Sequence, residues 1–280
     1  MTDQAKPDSS RSQPMLALGA AALAALLAGC AAGGTNLSAV PELRPGMPAG
    51  YLAAEARPDS LRLLSAPPAQ GSAALALDEE SARQAGPLRG SPRWQLAADD
   101  AVLTFPQAAS TFSCALGVPV SDKDTPYLNM LLRRSLVDAG LSTYKAKDHY
   151  QRTRPFVATK TPMCTQAEAA KLEKDGSYPS GHSAIGWAWA LILTEIEPAR
   201  ANELLARGRA FGQSRVVCNV HWQSDVNAGR TMAAATVARL HADPAFRADL
   251  ERARSEVAAA RAAGARPSRD CQAESAALAP

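Results

Sequence analysis

From residue 125 onward, apolar and polar positions alternate with the period of an α-helix. Leu128, Leu131, Leu132, Leu136 and Val137 recur at spacings of three and four, which gives one apolar face. Thr125-Pro126 opens that helix and Gly140 ends it. Arg133 and Arg134 fall off the face and read as solvated or ion-paired side chains, not as substrate ligands. A second helix is expected over residues 142–154, and a short one from Thr165, a capping residue, through Lys174. Residues 184–195 are apolar nearly all round (Ile185, Trp187, Trp189, Leu191, Ile192, Leu193), the pattern of a helix buried in the middle of a bundle. That segment is too short for a bilayer span, which takes roughly 20 residues. Pro198 starts a helix to about residue 214, residues 224–241 form another with alanine-rich sides, and Pro244 opens a last one to about residue 263.

Before residue 125 the pattern is weaker. Asp78-Glu79-Glu80 reads as an acidic first helical turn, stopped at Gly86-Pro87. Residues 92–116 space Trp94, Leu96, Val102, Leu103, Phe105, Phe112 and Leu116 in a roughly helical way, with a break near Pro106, and Gly117-Val118-Pro119 is a turn. Internal repeats are absent and strand signals almost so. The expected class is therefore all-α, a helical bundle with a site between central helices. The domain is expected over residues 76–262.

The ends read differently. Residues 1–30 combine a polar start carrying Lys6 and Arg11 with an apolar run over 15–28 that closes on Leu27-Ala28-Gly29-Cys30. That is the pattern of an export signal with a lipobox, whose Cys30 would be lipidated and become the mature N-terminus. The alternative is an ordinary cleaved signal with an incidental cysteine. The location expected from these features is the periplasm, with the chain anchored at the outer membrane through the lipid alone. Residues 31–75 are rich in Ala, Gly, Pro and Ser and read as a flexible tether or arm. Residues 263–280 read as a tail, disordered unless Cys271 pins it. Besides Cys30 the chain has Cys114, Cys164, Cys218 and Cys271, an even number that suggests two disulfides in an exported protein, with three possible connectivities. Free buried thiols are the alternative.

Composition narrows the class. A hydrophobic fraction of 46% with 20% charged residues is globular, and abundant alanine with 5% aromatics favours helix over sheet. The net charge of +3 can attract anionic substrates, but no basic run interleaved with aromatics points to nucleic acid. Apolar helix faces could equally serve a core or a homo-oligomer contact.

Three short segments carry chemistry. Lys147 and Arg154 are seven residues apart, two turns if helical, with Pro155 placing the arginine at a frayed end. An ammonium and a planar guanidinium together suit a phosphoryl group. Taken alone, the pair reads more simply as two surface cations. Next, Pro179-Ser180-Gly181-His182 precedes a helix, so backbone N–H groups at Gly181 and the Ser180 hydroxyl can seat an anion beside His182. Alone, Ser180 is a turn serine and His182 a capping or core histidine. A hydrolase nucleophile at Ser180 would need a strand before it, and none is present. Finally, Arg215 precedes His221 and Asp225. One helical turn separates the last two, so the carboxylate can take the Nδ1 proton and free Nε2. Alone, that spacing is a surface ion pair. The chain has four histidines (149, 182, 221 and 241), and no His/Asp/Cys cluster has metal-ligand spacing. His149 and His241 read as surface residues.

In this order, Lys-x6-Arg-Pro, Pro-Ser-Gly-His and Ser-Arg-x5-His-x3-Asp resemble the signature of the type 2 phosphatidic-acid phosphatase superfamily. The likeness is closer still to its secreted branch, the class A bacterial nonspecific acid phosphatases. It is carried by residues 111–117 (Thr-Phe-Ser-Cys-Ala-Leu-Gly), 131–135, 138–142, 151–156, 175–182 and 221–225, and spans about residues 75–250. The resemblance implies a helical bundle and a two-step phosphomonoesterase of broad specificity that needs no metal or other cofactor. It implies His221 as nucleophile, Asp225 as its orienting carboxylate and His182 as acid and base. Lys147, Arg154, Ser180, Gly181 and Arg215 would hold the phosphate. Two histidines in those roles imply an optimum between about pH 5 and 7. Vanadium haloperoxidases share the residue set and are one alternative; a surface lipoprotein that binds phosphate without turning it over is another. A membrane lipid phosphatase would need several long apolar spans, which the sequence lacks.

Overall fold

The computed structural model describes residues 36–279. The expected export signal, Cys30 and the start of the expected tether lie outside the described residues. Among those residues the chain is a helical bundle with one small hairpin, β1 (Glu42–Arg44) against β2 (Met47–Pro48), antiparallel with Arg44 opposite Met47. Six helices precede the first catalytic motif or carry it: α1 (Ser60–Leu63), α2 (Ala73–Ala85), α3 (Pro92–Asp99), α4 (Ser113–Leu116), α5 (Pro126–Leu141) and α6 (Tyr144–Tyr150). Then follow α7 (Pro155–Thr159), α8 (Ala169–Leu172), α9 (Gly181–Ile196), α10 (Ala201–Val217), α11 (Gln223–Leu240), α12 (Pro244–Ala262) and α13 (Cys271–Leu278).

Helix α9 is the axis, as its all-round apolar sequence requires. It packs against α10, α11 and α5, and α12 covers α5. Trp189 on α9 is fully buried, stands edge-on to Phe112 and donates its indole N–H to the Leu132 carbonyl on α5 at 3.0 Å. The α9–α10 approach depends on missing side chains. A Cβ at Gly186 would lie 2.1 Å from a ring carbon of Phe211, and one at Gly208 would lie 2.4 Å from the Ala190 Cβ.

Among the described residues, the segment before α1 and the segment after α12 are more ordered than their composition suggests. The segment before α1 is not a loose arm. Asp138 on α5 accepts from the Tyr51 and Leu52 N–H groups at 2.7 and 3.2 Å, and Leu52 is buried. Arg134 donates to the carbonyls of Ala49 and Gly50, both at 3.1 Å, with its guanidinium 3.7 Å from the Tyr51 ring centre. Helix side chains thus satisfy the backbone of the arm, and composition cannot report that. Arg134 itself is buried and ion-paired to Asp249 at 3.5 Å. Helix α2 begins at Ala73, capped by Ser72, so Asp78 is a buried mid-helix residue and not part of a first turn.

The disulfides join Cys114 to Cys271 and Cys164 to Cys218. The first pins the tail as α13, whose Glu274 lies 3.3 Å from Arg207 Nε and 3.3 Å from Arg269. It closes a loop of 157 residues. The double variant Cys114→Ser/Cys271→Ser is expected to lose about 2–4 kcal/mol of stability, read from urea midpoints, with hydrogen exchange rising first in α13.

Candidate active site

The three motifs converge at the N-terminal end of α9. Helix α6 stops at Tyr150 because Gln151 takes a left-handed conformation (φ 41°), and Arg154 is extended and caps α7. Lys147 and Arg154 therefore do not share a helix, contrary to the spacing argument. Left-handed Gln151 ends the expected 142–154 helix early, and Pro155 accounts for the extended backbone of Arg154. The two cations still meet. Lys147 Nζ donates to the Gly176 carbonyl at 2.6 Å and Arg154 Nη2 reaches the same oxygen at 3.3 Å. Asp175 bridges them, 2.9 Å from Arg154 and 3.8 Å from Lys147.

Ser180 is the N-cap of α9. Its Oγ accepts from the Ser183 N–H at 3.2 Å and the Ser183 hydroxyl at 2.9 Å, which leaves its own proton to donate. Gly181 is the first residue of α9, so its N–H belongs to the set that an α-helix leaves unpaired. Helix α11 comes close to this turn because Gly229 has no side chain; a Cβ there would lie 2.5 Å from the Ser180 carbonyl. His182 sits in the first turn of α9, and its Nε2–H donates to the Ala101 carbonyl at 3.0 Å. A carbonyl only accepts, so Nδ1 is the nitrogen left to exchange a proton.

His221 lies just ahead of α11 and is buried. Asp225, in the first turn, accepts from the Trp222 N–H at 2.9 Å and so fixes the helix start. Its Oδ2 is 3.4 Å from His221 Nδ1, while His221 Nε2 is 3.1 Å from Arg154 Nη1. A guanidinium only donates, so Nε2 carries the lone pair and Nδ1 the proton. That is the tautomer a nucleophilic Nε2 needs. Arg215 is on the last turn of α10, which runs past the end expected near residue 214, so it is helical and not in the connection to His221, and it is 1% exposed. Its Nε and Nη1 are buried without a hydrogen-bond partner. A buried guanidinium with unpaired donors, beside Arg154, is a donor set for an anion.

The electrostatics follow from burial among cations. The His221 pKa is driven well below the ordinary histidine value, first by burial and then by Arg154, Lys147 and Arg215. His182 is lowered likewise, by burial and then by Arg215, with smaller contributions from His221 and Arg154. Burial, then Arg154, brings Lys147 down to about 8 and Arg215 to about 10. Such concentrated perturbation is typical of catalytic sites.

Sequence reasoning missed four residues here. Arg152 donates to Asp225 Oδ1 at 2.6 Å and to Asp78 at 2.8 Å. The Ser177 hydroxyl donates to Asp225 Oδ2. Asp175 joins Arg154 to Lys147. Arg152 and Ser177 lie inside the quoted motifs and were there to be found; Asp78, 74 residues from Arg152, carries no local signal. His149 is exposed, and His241 pairs with Glu195 at 3.1 Å, outside the site.

Residues 126–248 match the PAP2 superfamily, a class of helical proteins. The chain is 45% identical over 201 residues to the non-specific acid phosphatase of Providencia stuartii, covering 71% of this chain and 81% of that one. It is 43% identical over 209 residues to the acid phosphatase of Zymomonas mobilis, covering 75% and 79%. It is 44% identical over 195 residues to the non-specific acid phosphatase of Salmonella typhimurium, covering 69% and 78%. The chain belongs to the PAP2 superfamily and, within it, to the class A bacterial acid phosphatases.

Proposed function

We propose that this phosphoric monoester hydrolase, an acid phosphatase, works in two steps through a phosphohistidine at His221 and without a metal. The observation that carries the reading is the Nε2 lone pair of His221 facing Arg154, with Lys147 and the unpaired donors of Arg215 around it. In the first step Nε2 attacks phosphorus, the bond from phosphorus to the ester oxygen breaks, and His182 gives the departing oxygen its proton. Asp225 stabilises the positively charged phosphorylated ring through Nδ1–H. In the second step His182 takes a proton from water, whose oxygen attacks phosphorus. The Nε2–P bond breaks and inorganic phosphate leaves. Lys147, Arg154, Arg215, the Ser180 hydroxyl and the Gly181 N–H hold the phosphoryl oxygens as charge moves between them.

The alcohol portion has room to vary. A cavity of about 520 Å³ is lined by Ala101, whose carbonyl holds His182, and by Val102, Leu103, Thr104, Thr165, Gln166 and one charged residue, Glu168. Few charges line it, which supports broad specificity. The two disulfides fit an exported enzyme, and the lipobox adds an outer-membrane anchor through Cys30. No helix among the described residues is long and apolar enough to cross a membrane.

The test is hydrolysis of p-nitrophenyl phosphate in excess chelator, with a denaturing quench to trap labelled phosphate on the protein. The expected label is on histidine, stable to base and lost in acid. Loss of activity on chelation, or label on Ser180, overturns the reading.

The pH dependence follows with its signs. A depressed His221 pKa keeps Nε2 unprotonated into the acid range. His182 must carry a proton, and a bound phosphate dianion beside it raises its pKa again. Lys147 loses its proton as pH rises through about 8, removing one charge that holds phosphate. The expected result is maximal kcat, which reports the substrate complex, between about pH 5 and 7, with KM climbing above about pH 8. A steady-state profile still rising at pH 9 contradicts it.

A further inference from the structure

The two oxygens of Asp225 have different partners. Oδ2 faces the imidazole, the Ser177 hydroxyl and the Trp222 N–H. Oδ1 faces away from the imidazole and takes Arg152 Nη1 at 2.6 Å. Arg152 is itself clamped. Its Nη2 donates to Asp78 Oδ2 at 2.8 Å, its Nη1 reaches Ser224 Oγ at 2.7 Å, and its guanidinium lies 5.5 Å from the Trp222 ring centre. Asp78, from α2, also accepts from the Ser224 N–H and hydroxyl at 2.7 and 2.6 Å, so it fixes the start of α11. The side chains of Arg152, Asp78 and Asp225 are 9%, 3% and 0% exposed. Charges alternate along this buried line: Asp78 negative, Arg152 positive, Asp225 negative, then the ring of His221.

We propose that Arg152, held by Asp78, is a positioning residue that tempers the hold of Asp225 on a charged His221, and so sets the acid limit of the enzyme. The inference rests on His221 being the nucleophile. An unopposed carboxylate at Nδ1 would keep the imidazole protonated in mild acid, where the enzyme must work, and would also over-stabilise the phosphorylated ring. A guanidinium on the far oxygen weakens that hold while leaving the orientation intact. Asp78 returns part of it, because its charge offsets that of Arg152 across a low-dielectric contact.

Other charges face His221 from every side. Lys147 on α6, Arg154 ahead of α7 and Arg215 on α10 oppose its charging, and His182 on α9 adds to them; Asp175 tempers Arg154 and Lys147. Those cations also bind phosphate, so their effect changes when substrate arrives. On the Nδ1 side the charged groups are Asp225, Arg152 and Asp78, beside the neutral Ser177, whose hydroxyl lies 3.4 Å from Nδ1 and whose backbone also favours the charged ring; none of these is a proposed phosphate ligand.

The consequence is a pair of shifts with opposite sign. Arg152→Met leaves two carboxylates behind His221, so the acid limb of kcat/KM for p-nitrophenyl phosphate should move up by about one pH unit. The kcat should fall roughly 10–100-fold while KM changes little, because Arg152 is not among the phosphate-binding side chains. Asp78→Asn removes the charge behind Arg152, so the limb should move down. Arg152→Lys should return the limb toward wild type. Ring-proton NMR of His221 in the free enzyme, one of only four histidines, should report the same directions. Limbs that stay put, or move together, overturn the proposal, since a loss of packing has no reason to give opposite signs. If Arg152→Met does not fold, Asp78→Asn decides alone: a downward shift supports the proposal, and no shift or an upward one overturns it. Activity surviving in His221→Ala would instead overturn the nucleophile assignment. Dead His221→Ala with unshifted limbs overturns only the role of Arg152.

Discussion

His221→Ala is expected to lose phosphatase activity by roughly 10⁴-fold or more, with KM within a few-fold of wild type. The split follows from the geometry. On the proposed reading Lys147, Arg154 and Arg215 hold phosphate through their own side chains; Arg154 also touches the imidazole at 3.1 Å, but its other partners keep it in place. Arg154 is held by the carbonyls of Leu172, Asp175 and Val220, at 2.9, 2.9 and 3.0 Å, and by the Asp175 carboxylate. Removing the ring deletes the attacking nitrogen and leaves the anion seat. A denaturing quench should therefore yield no labelled phosphoenzyme, while vanadate or phosphate still protects the variant against heat. Retained turnover would show that water attacks directly. Asp225→Asn makes a poorer probe of catalysis. The carboxylate serves Arg152, Ser177, the Trp222 N–H and the imidazole together, and an amide has only one accepting oxygen for them. That variant should lose stability as well as turnover, so its kinetics need a parallel unfolding curve.

How far the site could be read from sequence depends on what kind of contact made it. Ser180, Gly181 and His182 were legible because a turn followed by an apolar helix dictates the local backbone, and α9 begins at Gly181. Lys147 and Arg154 do meet, but not for the reason their spacing offers. Heptad spacing suggested one helix, whereas a left-handed Gln151 and the proline after Arg154 bring the two together around Gly176. The bundle itself was legible from periodicity alone, because α9 is apolar on all sides and its neighbours on one. What periodicity could not show were contacts between polar groups distant in sequence. Asp138 anchors Tyr51 and Leu52 across a gap of more than 80 residues, and composition made that arm look loose. Asp78 reaches Arg152 and Ser224 from a helix whose start was misplaced, since the acidic triplet looked like a first turn. The cysteines left three connectivities open, and only the fold chooses between them.

Arg215→Met is expected to make the protein more stable and nearly inactive. Arg215 is 1% exposed, its Nε and Nη1 lack partners, and Arg154 repels it. Glu168 and Asp100 offset its charge only from a distance, without a hydrogen bond to Nε or Nη1, so the buried cation still destabilises the fold, and methionine fills much of the same space without a charge. The unfolding free energy should rise by about 1–3 kcal/mol, read from urea midpoints at unchanged slope. Activity should fall roughly 10²–10³-fold, the usual cost of removing one donor from a charge-stabilising pocket. Ligand linkage separates this from an ordinary surface stabilisation. Phosphate at about a hundred times its Kd should stabilise the wild type by about 2.7 kcal/mol, and the same concentration should do much less for the variant. If Arg215→Met proved less stable than wild type, the guanidinium would be held by the protein itself, and its assignment as a phosphate ligand would fail. If it proved more stable yet fully active, the charge would be dispensable, and Lys147 and Arg154 would have to hold the phosphoryl group alone.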